Sequence, residues 1–173
     1  MNKDDSERIT GLLRLEGYSP CEDESVADLF IYNTCCVRES ADNRFYGQAA
    51  ALKQLKEKRP ALLIAVGGCL AQMDGDIVLK KLPHVDIVFG THNVGELPNL
   101  IKEVENERQS RCEIKTSSSD FTGDLPAERK SRWRAWLPIM VGCDNFCTYC
   151  IVPAVRGREK SRPKEILINA CRA

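Results

Sequence analysis

The stretch Ala61-Leu-Leu-Ile-Ala-Val-Gly-Gly-Cys-Leu-Ala-Gln72 sets the architecture. Its first six residues are apolar without interruption, as in a strand covered on both faces. Two glycines and a cysteine follow at once, where the backbone can turn tightly and come close to a bulky ligand. The pattern also stands upstream: residues 26–32 read as a mostly buried strand that runs into Asn33-Thr-Cys-Cys36. Between the two, residues 39–58 carry Ala49, Leu52 and Leu55 at helical spacing and end in basic residues, with Pro60 closing the helix. Downstream come a helix near 74–82, a short strand at 85–89 and a helix near 93–105. An opening helix, capped by Asp5 or Ser6 and striped by Ile9, Leu12 and Leu13, stops at Gly17. Strand–helix alternation of this kind predicts an α/β fold whose first domain, residues 1–110, is a parallel-sheet α/β/α layer structure of Rossmann-like form.

That topology places two thiols. Functional loops of open parallel sheets lie beyond the carboxyl ends of the strands. Cys35 follows one strand and Cys69 the next, so both point to the same rim although 34 residues apart. A free cysteine by itself is most often a small buried hydrophobe; the pair on one rim suggests a metal site.

A second group of thiols is local. Cys143, Cys147 and Cys150 stand at C-x3-C-x2-C spacing. A closed [4Fe–4S] site uses four cysteines, so three leave one iron open to a chelating small molecule. A structural zinc site would want a fourth Cys or His nearby, but His84 and His92 lie far upstream.

The surrounding residues sharpen this reading. The apolar lead-in Leu137-Pro-Ile-Met-Val141, the segment Gly142-Cys-Asp-Asn-Phe-Cys-Thr-Tyr-Cys-Ile-Val-Pro153, then Arg156-Gly157 and Ser161-Arg-Pro163 resemble the opening strand and cluster loop of radical S-adenosylmethionine (SAM) enzymes. Asn33-Thr-Cys-Cys-Val-Arg-Glu-Ser-Ala41 and Gly67–Gln72 are similar to the N-terminal domain of the methylthiotransferases of that group. Phe121-Thr-Gly-Asp-Leu-Pro-Ala-Glu-Arg129 and Val88-Phe-Gly-Thr91 favour the tRNA-modifying branch over the ribosomal-protein branch.

The resemblance implies a radical SAM transferase with two [4Fe–4S] clusters. One is held by Cys143, Cys147 and Cys150 and binds SAM, with Tyr149 at the cofactor. The other is an auxiliary cluster that includes Cys35 and Cys69. A 5′-deoxyadenosyl radical takes hydrogen from C2 of an adenosine beside the anticodon, and a methylthio group is placed there. The substrate adenosine carries a dimethylallyl group, or in the alternative a threonylcarbamoyl group. No side chain here is needed as a general base. The implied partners are the tRNA anticodon stem-loop and a reducing electron donor, and the chain is expected to be a monomer. It also implies that the family's first strand, with a third auxiliary ligand, and most of the radical SAM barrel lie outside these 173 residues. Such a piece is expected to turn over little alone. Cys36, adjacent to Cys35, and Cys21, before the strand, are both discounted as replacements.

Composition bounds the rest. The chain is 43% hydrophobic with a formal net charge of zero and nine cysteines. The opening Met-Asn-Lys-Asp-Asp-Ser-Glu-Arg8 has no apolar signal region, and no run reaches the ~18 apolar residues of a membrane helix. Thiol-rich chains in a reducing compartment use cysteine for metal or catalysis, so a cytoplasmic iron–sulfur protein is expected. Charge is uneven: residues 129–164 carry nine Lys/Arg against Asp144 and Glu159, a local +7 that residues 1–128 balance. Trp133 and Trp136 interleave with these cations, which suits phosphate contact and base stacking. Residues 111–131 are polar and read as a linker, with residues 132–173 beginning the second domain. The tail from about 137 is expected to pack poorly by itself. The competing class is a non-enzymatic iron–sulfur or zinc module.

Overall fold

Helix α1 (Asn2–Leu15) opens the chain. The computed structural model describes residues 2–35, 39–117, 124–129 and 131–172. The helix starts before the expected cap, so Asp5 and Ser6 lie inside it, and Ser6 Oγ donates back to the Asn2 carbonyl at 3.0 Å. Its end follows the sequence reading. Tyr18 N–H bonds to Leu13 O (2.9 Å) and Gly17 N–H to Arg14 O (3.1 Å), with Gly17 at φ 90°. This is a Schellman closure, which needs a left-handed residue and favours glycine.

The first sheet holds β1 (Leu29–Thr34), β2 (Leu63–Gly68), β3 (Ile87–Phe89) and β4 (Arg111–Glu113), all parallel and in that spatial order. Both long strands begin two or three residues later than the apolar runs suggest. Arg59 is the cause: its guanidinium donates to Ser25 O (2.7 Å) and Ala27 O (2.9 Å) and pairs with Asp28. Residues 25–28 are thereby tied into a cradle rather than a ladder. Pairing starts at Leu29↔Leu63 and ends at Thr34↔Gly68, so the double glycine closes the strand. β2 is buried at every position, as befits a central strand, whereas β1 is mostly half-buried. Among the described strands none pairs with the outer edge of β1; only its last two carbonyls are met, by the Asn2 carboxamide (3.3 and 3.2 Å).

Alternation along the strands divides the core. Ile64, Val66 and Val88 face α2 (Glu39–Lys58), α3 (Cys69–Asp74) and α4 (Asp76–Lys81), meeting Phe45, Ala49, Leu52, Leu70 and Val78. Leu63, Ala65, Ile87 and Phe89 face α1 and α5 (Leu97–Glu107), meeting Ile9, Leu13, Leu97 and Ile101. Full burial of each such aliphatic side chain contributes about 1.5–3 kcal/mol. α2 occupies the expected residues. The helix expected near 74–82 is α4, and an unexpected short helix, α3, precedes it, with Gly75 at φ 46° between the two. Lys56 and Asp86 pin the sheet beneath them: the ammonium lies 2.7 Å from the carboxylate, which also accepts the Ile64 N–H at 2.8 Å.

Part of the expected linker is structured. β4 extends the sheet, and residues 124–129 run as a strap along α1. Arg8 donates to Leu125 O, Glu128 N–H reaches Glu7 O at 2.9 Å, and Arg14 pairs with Glu128 at 2.6 Å. Gly11 makes this approach possible, since a Cβ there would stand 2.5 Å from Pro126 O. The apolar lead-in, expected to open a parallel barrel, instead gives a two-residue strand, β5 (Met140–Val141). It pairs antiparallel with β6 (Lys160–Ser161). Helix α6 (Val152–Arg156) lies between them and α7 (Lys164–Arg172) follows. No residue of α7 is buried, as expected of the tail, but ahead of it Val155, Arg156 and Arg162 are buried, so the poor packing expected from about 137 holds for only part of that stretch. Among the described residues no helix is long and apolar enough to cross a membrane.

Candidate functional site

Register places the rim thiols. Thr34 is level with Gly68, so Cys35 and Cys69 are the next residues of neighbouring parallel strands, at the same end of the sheet. Cys35 is exposed and Cys69 buried. Each residue before Cys35 has a task. Asn33 donates to Asn2 O (2.8 Å) and Ser6 Oγ (2.8 Å), joining α1 to β1. Thr34 Oγ1 donates to Gly67 O at 2.6 Å, joining β1 to β2.

The glycines ahead of Cys69 answer to packing. A Cβ on Gly67 would sit 2.2 Å from the Phe89 ring, and one on Gly68 would sit 2.3 Å from Thr34 O. Gly68 also has φ 93°, which turns the strand directly into α3 and makes Cys69 its first residue. Cys21 lies before β1 with its thiol on Asp23 O (3.3 Å). Cys36 lies outside the described residues. Cys112, in β4, has its thiol pushed up to about 12 by burial and by Asp76, so it stays protonated.

The three-thiol loop is held at its stem. Cys143 N–H donates to Gly157 O (3.2 Å), and Asp144 accepts the Glu159 N–H (3.1 Å) and lies 3.4 Å from Arg158. Gly142, at φ 79°, passes so close that a Cβ would meet Arg158 O at 2.2 Å. The loop tip is open: Phe146 is 76% and Tyr149 91% exposed. Cys147 is exposed, Cys143 and Cys150 are half-buried, and all three are free thiols. A turn brings Cys150 N–H onto Cys147 O (3.0 Å), and Cys143 Sγ accepts from Asn145 N–H (3.4 Å). Among the described residues no three Cys, His, Asp or Glu side chains converge as they would round one metal ion. The donor set fits a three-thiolate cluster site in composition, spacing and free thiols; the converged geometry is not formed.

The sequence gives no hint of what joins the loop to the rim. The segment after the triad enters the rim, with Val155 and Arg156 both buried. The Val155 carbonyl accepts from Thr91 Oγ1 at 2.6 Å. Arg156 lies 2.5 Å from Asp5, with both side chains about nine-tenths buried. Burial disfavours the Arg156 charge, yet Asp5 and Cys69 more than offset it, and the guanidinium is held above its ordinary value. His92 packs beside Gly157; burial, then Lys160 and Arg156, hold its imidazole below the usual range. Asp5 and Arg156 are 151 residues apart, and no local pattern in the sequence marks them as partners.

The basic stretch divides in two. Arg156 and Arg162 are internal: Arg162 pairs with Asp124 at 2.5 Å and donates to Pro138 O. These two were counted among the cations suited to phosphate contact, and burial removes them from that set. Trp133 is 90% exposed with the Arg132 guanidinium 5.6 Å from its ring centroid. Trp136 carries Arg134 at 5.7 Å and Lys3 at 5.9 Å.

The fold and site define a parallel α/β domain with thiols on its carboxyl rim and a three-thiol loop docked against it. Residues 1–90 match the family described as "Uncharacterized protein family UPF0004", and the chain belongs to that family. It is 51% identical over 168 residues to tRNA-2-methylthio-N(6)-dimethylallyladenosine synthase of Corynebacterium glutamicum (strain R). It is 52% identical over 168 residues to the protein of that name in Paenarthrobacter aurescens (strain TC1), and 50% to that of Mycobacterium bovis (strain ATCC BAA-935 / AF2122/97). Each match covers 96% of this chain, and the chain spans about a third of the relatives' length (32%, 32% and 33%).

Proposed function

We propose that this chain provides the rim-thiol domain and the cluster loop of a radical SAM tRNA methylthiotransferase. The substrate is N6-dimethylallyladenosine beside the anticodon, modified at C2. The observation that carries the reading is the docking of the C-x3-C-x2-C segment onto the rim at Cys69, through Arg156 and Val155. The names of relatives similar across 96% of the chain support it. Cys143, Cys147 and Cys150 would hold one [4Fe–4S] cluster and Cys35 and Cys69 would contribute to the second. Such a cluster supplies a low-potential electron and an open iron for the amino acid end of SAM. The chain's own residues then bind and orient. Tyr149, exposed at the loop tip, would contact the cofactor; the Gly142–Gly157 stem fixes the loop; Asp5 and Arg156 hold it at the rim. Arg132 with Trp133, and Arg134 with Trp136, offer charge and a stacking face to the RNA.

The test is anaerobic reconstitution with iron and sulfide, followed by reduction and spectroscopy with and without SAM. A cluster signal that SAM perturbs, and that Cys143→Ala abolishes, supports the reading. A colourless zinc protein, or a cluster indifferent to SAM, refutes it in favour of a non-enzymatic module.

A further inference from the structure

The two thiol groups belong to segments far apart in sequence, yet the helix that follows the triad packs on the helix that Cys69 opens. Arg156, at the end of α6, is 7% exposed and is held by Asp5 of α1. A guanidinium buried to this extent stays only where its donors are met, because an unpaired buried charge is costly. Five residues separate Arg156 from Cys150, and four of them are helical. At 1.5 Å of rise per helical residue, the stem places the last loop thiol on the order of 10 Å along the chain from the guanidinium's own Cα. Thr91 adds a second fastening one residue earlier, on the Val155 carbonyl. The loop tip, by contrast, has exposed Phe146, Cys147 and Tyr149. The loop's position relative to the rim is therefore set at Arg156.

We propose that Arg156 is a positioning residue: paired with Asp5 where α6 packs on α3, it latches the three-thiol loop to the rim and fixes the separation of the two thiol groups. This rests on the reading in which both groups serve one reaction, but the latch itself can be tested without iron or SAM. The whole chain, with Arg156→Gln, Arg156→Lys or Asp5→Asn, is treated with iodoacetamide, and the rate at each cysteine is read by mass spectrometry. Arg156→Gln and Asp5→Asn open the rim, so alkylation of Cys69 rises by about tenfold or more, as expected when a buried pair loses one member. Arg156→Lys keeps a cation beside Asp5 and stays within about threefold of the parent. Cys112, half-buried in β4 away from the rim, is the internal control and keeps its rate. Unchanged Cys69 reactivity in the Gln and Asn variants overturns the latch. So does an equal rise at Cys112, which reports general loosening, or a Lys variant that behaves as Gln. A protein with an intact latch but no response to SAM would refute the function while leaving this inference standing.

Discussion

Replacing Gly68 by alanine probes the turn that delivers Cys69 to the rim. Two costs are separable. At φ 93° an L side chain is strained, at about 1–2 kcal/mol. The new Cβ would also stand 2.3 Å from Thr34 O, with Asn33 Oδ1 and Thr34 N each at 2.8 Å. Thr34 cannot retreat freely, because it is in register with Gly68 and its hydroxyl is bonded to Gly67 O. Overpacking of this kind costs about 1–3 kcal/mol. The sum, about 2–5 kcal/mol, is a large part of the roughly 5–15 kcal/mol that holds a domain together. At about 2–4 °C per kcal/mol for a chain of this size, the thermal midpoint should fall by about 4–20 °C. Circular dichroism melting reads it, with Gly47→Ala as the control. Gly47 lies in α2 with nothing within 4 Å of its Cβ position, so alanine there stabilises by about 0.5–1 kcal/mol. A Gly68→Ala protein that melts within about a degree of the parent would refute the argument that backbone packing demands this glycine.

Cys112, with its thiol at about 12, should alkylate about a thousandfold more slowly at pH 8 than a thiol near 9, since only the thiolate reacts. Its rate should keep climbing at pH values where a thiol near 9 has already levelled off. The His92 imidazole is depressed in the folded state, so the unfolded chain binds the extra proton first as pH falls. Stability from this group is complete above the unfolded value near 6.5 and is lost as pH drops through it toward the folded value. His92→Gln should flatten that part of a urea-midpoint profile, and an unchanged slope counts against it. Arg134→Ala should weaken anticodon stem-loop binding and lower the slope of log affinity against log salt by about 0.7–0.9. Arg162→Ala should instead lower the melting temperature, because its partner is Asp124; equal salt slopes in the two variants would contradict the division between surface and internal arginines.

Periodicity carries information within an element, and here it located α2 and the parallel character of the sheet. The uninterrupted apolar run at 61–66 also marked β2 as covered on both faces, whereas β1, read as mostly buried, is half-buried. Boundaries were less legible. Arg59 holds carbonyls of residues 25 and 27, so both long strands start late, and a long-range side chain of this kind leaves no local trace. β4 was missed because three residues with Arg and Glu at either end look like linker; the sheet accepts them through backbone pairing with β3. At the site, the order of strands and turns puts Cys35 and Cys69 on one rim. Nothing in the local pattern could show that Arg156 is internal, since its neighbours Arg158 and Lys160 have the same composition and lie outside. The polar linker proved to be a strap for a similar reason: Gly11 reads as a weak helix residue, and only the crossing of Pro126 explains it.

The open side of β1 bears on how this polypeptide behaves in company. Leu29-Phe-Ile-Tyr-Asn-Thr34 has no charge and no proline, and charge and proline are the usual devices that keep a sheet margin from adding a neighbour. Asn2 shields only the last two carbonyls. Along the preceding four residues, every second residue turns its amide and carbonyl away from β2, and among the described residues no strand meets them. Among the described residues that margin is where a further strand can join by backbone pairing alone.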